Sequence, residues 1–213
     1  MNIILIGPPA TGKGTQSAIL SKYFKIPHIS IGDIFRKHLK EKTTLGKKIN
    51  FYIEKGLLVP DEITNDMMIQ SLLDKSNQNG FILDGFPRNL QQAVFLSKMF
   101  EQHDIILTKV IYFNSNEKLL KNRIIGRIIC PKCGEIYHQE NKLPQKNGFC
   151  DNDNIALIKR KDDSIETFNK RLSVYKQETL PLIEYYKNKI LEIQVNDFNT
   201  SINDITKIIL KQL

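Results

Sequence analysis

The sequence predicts an α/β fold in which helices cover both faces of a parallel sheet. Three observations carry this reading. Short apolar runs alternate with longer segments whose apolar residues recur at helical spacing: NIILI (2–6), IPHIS (26–30), FILDG (81–85), KVIYFN (109–114) and ILEIQV (190–195). The first run ends in a glycine-rich turn that leads straight into a helical pattern. One segment, residues 130–160, loses periodicity and gains Gly, Pro, Asn and Cys, as an inserted module does.

Taken in order, residues 2–6 read as a buried strand, and KGTQSAILSKYF (13–24) as a helix with one apolar face. IPHIS is a second strand. Residues 31–55 read as two helices broken near Gly46 and ended by Gly56. LLVPDEI leads into a helix with Asp61 or Thr64 as its N-cap. After FILDG and KVIYFN, residues 116–128 form a helix capped by Asn114 or Ser115. Residues 164–188 form one long helix bent near Pro181, and 202–212 a last helix. There is no internal repeat.

The 213 residues suffice for one domain, or for a core with insertions. No apolar run approaches the roughly 20 residues of a membrane span. IILI is shorter than the ~7–15-residue core of a signal peptide and lacks a basic lead-in. A soluble, cytoplasmic protein with no membrane partner is expected. The net charge of +8 points to anionic partners, with most lysines on a solvated surface. Three cysteines, Cys130, Cys133 and Cys150, fall within 21 residues, a pattern that suits a metal better than disulfides.

GPPATGKGT (7–15) nearly matches the phosphate-cradling loop, except that Gly14 stands where a hydroxyl residue is usual and Thr15 comes one place late. Main-chain N–H groups of such a turn, at a helix N-terminus, form an anion site that Lys13 completes. Asp84 ends an apolar strand, where open α/β sheets place their ligands, and can hold the water shell of Mg²⁺. Its alternative role is to cap the following helix. Gly85 permits close approach, and Pro87 stiffens the turn that presents Arg88. Cys130-x2-Cys133, then sixteen residues, then Cys150-x2-Asp153 gives two paired arms for a closed, tetrahedral, structural zinc site. His138 is the rival fourth ligand.

GPPATGKGT, ISIGDIFR (29–36), GLLVPDE (56–62), LDGFPRNLQQ (83–92), NRIIGR (122–127) and RKDDSIETFNKRL (160–172) follow one another in an order that resembles the adenylate kinases, over residues 1 to about 200. The cysteine module is similar to the long, zinc-binding lid of some bacterial members. The resemblance implies a P-loop three-layer α/β/α core (1–29, 60–125 and 164–213), a helical monophosphate-binding insertion (30–59) and a zinc-bound lid (126–163). It implies Mg²⁺-dependent phosphoryl transfer from ATP to AMP, giving two ADP, by a monomer with no specific nucleic-acid partner.

By the same resemblance, Lys13, Arg123, Arg127, Arg160 and Arg171 surround the transferring phosphoryl, and Arg36 and Arg88 hold the acceptor phosphate. Arg123 and Arg127, four apart, should share a helix face, as should Arg160 and Arg171, eleven apart, if that segment is helical. Ile31, Leu57, Leu58, Val59, Gly85, Phe86 and Gln92 belong to the acceptor pocket. Ala10, Thr11, Gly12, Gly14, Thr15, Ile136, Tyr137 and the backbone near Asn199 contact ATP. Asp84 organises Mg²⁺; Cys130, Cys133, Cys150 and Asp153 hold zinc. Three positions depart from the family. Ala10 replaces a glycine, so its methyl either crowds the phosphate or demands a negative φ. Ile31 replaces a threonine of the acceptor pocket, and Asp197 a common glycine.

Two other functions fit parts of the pattern. A UMP/CMP kinase would share nearly every charged residue; the zinc lid and GLLVPDE favour the adenylate reading. A zinc-ribbon nucleic-acid binder with an NTP switch would interleave basic and aromatic residues on the lid, where 130–155 has only Tyr137 and Phe149.

Overall fold

The computed structural model describes residues 1–160, 162–195 and 200–213. In chain order they form β1 (Asn2–Ile6), α1 (Lys13–Phe24), β2 (His28–Ser30), α2 (Ile31–Lys40), α3 (Thr44–Glu54), α4 (Asp61–Leu72), β3 (Phe81–Asp84) and α5 (Leu90–Gln102). There follow β4 (Lys109–Asn114), α6 (Glu117–Ile125), β5 (Arg127–Ile129), β6 (Ile136–His138), α7 (Ile165–Val174), α8 (Leu182–Tyr185), β7 (Ile190–Gln194) and α9 (Ile202–Gln212).

Five strands make one parallel sheet in the order β2-β3-β1-β4-β7. Successive strand residues point to opposite faces, and here both faces are apolar. Ile4 and Ile6 join Leu83, Val110 and Tyr112 in one buried cluster. Ile3 and Leu5 join Ile82, Ile111 and Phe113 in the other. The result is the expected three-layer α/β/α core. The chain leaves β1 for α1 on one side of the switch in strand order and leaves β3 for α5 beside it. The C-terminal ends of these two strands therefore open onto one crevice. β5 and β6 form a separate antiparallel pair with its own small apolar cluster: Cys130, Tyr137 and Cys150, packed against Ile128 and Leu157.

The structure corrects several element boundaries. The break between α2 and α3 falls at 41–43, with Thr43 as N-cap. Gly46 lies inside α3, where a methyl group would come 2.2 Å from His38 O, so it serves close packing rather than a break. Pro60, not Asp61 or Thr64, occupies the N-cap of α4, and Asp61 is its first helical residue. Asn116, not Asn114 or Ser115, caps α6, accepting from Leu119 N at 2.8 Å. That helix stops at Ile125 because the chain turns into β5 past Gly126, whose missing side chain makes room for the His138 ring. Arg127 is therefore on a strand and shares no helix face with Arg123. Likewise α7 begins after the Ser164 cap, so Arg160 precedes it and shares no helix face with Arg171. The long 164–188 helix is interrupted by a π-turn at Tyr175–Thr179. The helix expected after Asp84 is α5, but Asn89, not Asp84, caps it, accepting from Gln92 N at 2.8 Å.

Candidate active site

The crevice above the sheet is a cleft of about 1020 Å³. Its floor is the glycine loop. The N-cap of α1 is Gly12, which offers no side chain to the first turn, so those N–H groups face the cleft. Ala10 adopts φ +67°, so the loop keeps a left-handed turn and the expected negative φ is not taken. For an alanine this conformation costs about 1–2 kcal/mol. A methyl group on Gly14 would come within 3.4 Å of Asp84 Oδ2, which shows what the missing side chain leaves room for.

Lys13 folds back over the loop and donates to Gly7 O and Pro8 O, both at 2.8 Å. Burial, opposed by the charge of Asp84 and reinforced by Arg88 and Arg127, pushes its pKa down to about 8. Unfolded, the lysine titrates near 10.5. Between these values the native state binds fewer protons than the unfolded one, so this group's contribution to stability rises with pH across that window. A polyanion in the cleft favours the cation and pulls the pKa back up. Tripolyphosphate binding at pH 8.5 is therefore expected to take up protons. Calorimetric titration in two buffers of different ionisation enthalpy measures this; identical heats in both would contradict it.

Asp84 ends β3 beside the loop. Burial alone would raise its pKa, but the His28 contact and the charges of Lys13 and Arg88 outweigh burial and hold the carboxyl below its usual range. His28 Nε2 lies 3.6 Å from Asp84 Oδ2. An ionised, inward-facing carboxylate is a suitable hard donor for hydrated Mg²⁺.

Six arginines line the walls of the same cleft: Arg36, Arg88, Arg123, Arg127, Arg160 and Arg171. Carboxylates hold three of them in place. Arg36 pairs with Asp33, Arg127 with Asp163 and Arg171 with Asp162. Arg123 donates to Thr11 O at 3.2 Å, and Arg88 Nε to Gly85 O at 2.7 Å. Arg88 and Arg160 both have pKa values pushed down to about 10. Burial is the main cause, followed by Arg171 for Arg88 and by Arg36 and Arg127 for Arg160. Both stay cationic at neutral pH. Arg160 Nε is buried without a hydrogen-bond partner among the described residues.

Most of the expected nucleotide contacts come together here. Ala10 to Thr15, Leu57 to Val59, Gly85, Ile136 and Tyr137 line the cleft with the basic residues. Ile31, Phe86 and Gln92 do not; each is about 1% exposed and packed beneath the cleft wall. Asn199 and Asp197 lie outside the described residues. The sequence reading missed His28, Asp33, Asp162 and Asp163. The paired acids of RKDD, between two arginines, were the available signal.

In the β5–β6 module, the ligand atoms of Cys130, Cys133, Cys150 and Asp153 all lie within 4.8 Å of one another. Cys133 Sγ is 3.6 Å from Cys150 Sγ, and Cys130 Sγ is 3.4 Å from Asp153 Oδ2. Thiolates on one tetrahedral zinc sit roughly 3.8 Å apart, given ~2.3 Å bonds, so the set fits that ion. Lys132 Nζ holds the other Asp153 oxygen at 3.1 Å. His138 stands apart. Its Nδ1 accepts from Glu140 N and Asn141 N, both at 3.1 Å, and Nε2 faces Asn122 O. The module closes over the cleft: Ile136 reaches the glycine loop, and Lys40 Nζ on α2 donates to Pro131 O at 3.3 Å.

Comparison with known proteins agrees with this geometry. The adenylate kinase family model matches residues 5–191. An adenylate kinase of Onion yellows phytoplasma (strain OY-M) is 51% identical over 215 residues, covering 100% of this chain and 98% of the relative. That of Acholeplasma laidlawii (strain PG-8A) is 46% identical over 211 residues, covering 99% and 97%. That of Caldanaerobacter subterraneus subsp. tengcongensis is 45% identical over 213 residues, covering 100% and 96%. A glycine loop, a buried carboxylate and a ring of arginines beneath a cysteine-bearing module thus coincide with likeness along nearly the whole chain, which belongs to the adenylate kinase family of phosphotransferases.

Proposed function

We propose that this chain catalyses reversible, Mg²⁺-dependent phosphoryl transfer between ATP and AMP, giving two ADP. The observation that carries the reading is the convergence of Lys13 and six arginines on one cleft beside an ionised Asp84. The acceptor is a phosphate oxygen, already anionic, so the reaction needs no general base. Alignment and neutralisation of charge on the transferring group then suffice. Planar guanidinium groups suit both tasks, because each can grip two oxygens.

In this reading the glycine loop and Lys13 cradle the ATP phosphates, and Arg36 and Arg88 hold the AMP phosphate. Arg123, Arg127, Arg160 and Arg171 enclose the group in flight. Asp84 would orient the water shell of Mg²⁺, which when bound would supply positive charge against the phosphate groups. Cys130, Cys133, Cys150 and Asp153 would hold a structural zinc. Residues 30–59 and 126–163 close over the nucleotides and exclude water, which otherwise competes as acceptor.

The test offers AMP, CMP, UMP and GMP as competing acceptors with ATP, with and without Mg²⁺. Metal-dependent ADP formation from AMP is expected to dominate. Preference for a pyrimidine would move the substrate, and no transfer at all from folded, metal-loaded protein would overturn the reading. Among the described residues no helix is long and apolar enough to cross a membrane.

A further inference from the structure

We propose that Asp61 is a positioning residue: it orients the Gln92 carboxamide, which in turn fixes the main chain of Arg88. The inference rests on the reading of Arg88 as a grip on the acceptor phosphate. Asp61 opens α4, on the far side of the GLLVPDE turn from the cleft-lining residues 57–59. Its side chain turns toward the start of α5. Asp61 Oδ1 accepts from Gln92 Nε2 at 2.7 Å, and both carboxylate oxygens accept from Asn89 Nδ2 at 3.1 Å. Gln92 Oε1 accepts from Arg88 N at 2.8 Å. On the other side of Arg88, its carbonyl accepts from Thr179 Oγ1 at 2.6 Å, from the π-turn.

A carboxylate only accepts hydrogen bonds. Asp61 therefore dictates that the NH₂ of Gln92 faces it, which leaves the Gln92 oxygen toward Arg88. At 1% exposure, Gln92 has no water to replace a lost partner. Arg88 is thereby held at both its N–H and its C=O, and its guanidinium starts from a fixed main chain. Displacement of a positioning group by about 1 Å can lower a rate by 10²-fold, so this chain of bonds bears directly on acceptor capture.

The test reverses the polarity of the Asp61–Gln92 bond in the intact chain. Gln92→Glu alone sets two carboxylates against each other. The KM for AMP is expected to rise about 10- to 100-fold, with the KM for ATP within about twofold. Adding Asp61→Asn restores the pattern: the new amide donates to the new carboxylate, which still accepts from Arg88 N, and the amide oxygen still accepts from Asn89. The double variant is expected to regain the wild-type melting temperature and a KM for AMP within about threefold of wild type. A side chain at 92 that reads the acceptor base through its own N–H would not be rescued, because glutamate has none.

An unchanged KM in Gln92→Glu would overturn the inference. So would a double variant whose KM for AMP stays raised, whatever its melting temperature. Should the single variant fail to fold, recovery of both fold and KM in the double variant decides. Wild-type turnover in the same assay keeps the two readings separate: absence of AMP-dependent turnover there defeats the proposed function, whereas loss confined to the variants concerns Asp61.

Discussion

Lys13→Met is expected to lower kcat by about 10²- to 10³-fold, the usual effect of removing one preorganised charge from a transition state, while leaving the melting temperature unchanged or raised. The two effects have one cause. Lys13 is held among Arg88 and Arg127 with little water, and its pKa falls to about 8 in consequence. A protein that depended on this ammonium for stability would have raised that value. The bonds Lys13 makes to Gly7 O and Pro8 O are partial compensation for lost hydration. A thioether of similar length fills the space without the desolvated charge, although it leaves those carbonyls to the remaining donors. Steady-state kinetics and calorimetry on the same preparation measure both. A fall in melting temperature of more than about 5 °C, roughly 1–2 kcal/mol for a chain of this size, would show that the lysine is structural.

Removal of the zinc proposed for the cysteine module is expected to have the second large effect. The module's apolar cluster consists of Cys130, Tyr137 and Cys150 with two half-buried partners. At about 1.5–3 kcal/mol for each large side chain fully buried, it falls short of ordering some thirty residues. Structural zinc contributes about 10–16 kcal/mol in peptides of similar size. Dialysis against a chelator is expected to release one zinc per chain, to add a separate low-temperature transition and to lower kcat by at least about 10²-fold. Zinc should restore all three. Cys130→Ser and Asp153→Ala should lose the metal as well, whereas His138→Ala should keep it, since both ring nitrogens of His138 face main-chain groups. Metal analysis decides, independently of activity. A chelated protein with one unchanged transition would mean that the module folds without metal.

Much of this architecture was legible in the sequence because its signals are local. β1, α1, β4 and α9 follow from apolar period and a glycine turn, and their limits are those the pattern predicts. The Cys-x2-Cys and Cys-x2-Asp arms lie close in sequence and meet in space. What escaped depends on contacts between distant segments. Gly46 reads as a break until His38 O is seen against it. Arg127 and Arg160 look helical by spacing, but a strand and a loop carry them. Asp162 and Asp163 are unremarkable acids until they meet Arg171 and Arg127. Asp61 read as a helix cap because its partners, Asn89 and Gln92, are about thirty residues away.

Lys13 and six arginines around one cavity make a compressed spring of like charge, which Asp33, Asp84, Asp162 and Asp163 relax in part and an entering polyanion relaxes further. On the proposed reaction, ATP with AMP carries the same total charge as two molecules of ADP. The spring is therefore no less satisfied after transfer than before it. Total charge therefore gives the cleft no preference for expelling products over substrates, and reopening, rather than transfer, is expected to set the pace of turnover. Rapid mixing should then show a burst of ADP, close to one turnover per site, ahead of the steady rate; a linear onset would place the slow step at the chemistry. By the same neutrality the charge of the cleft would hold substrates and products alike, and the direction of net transfer would follow their concentrations.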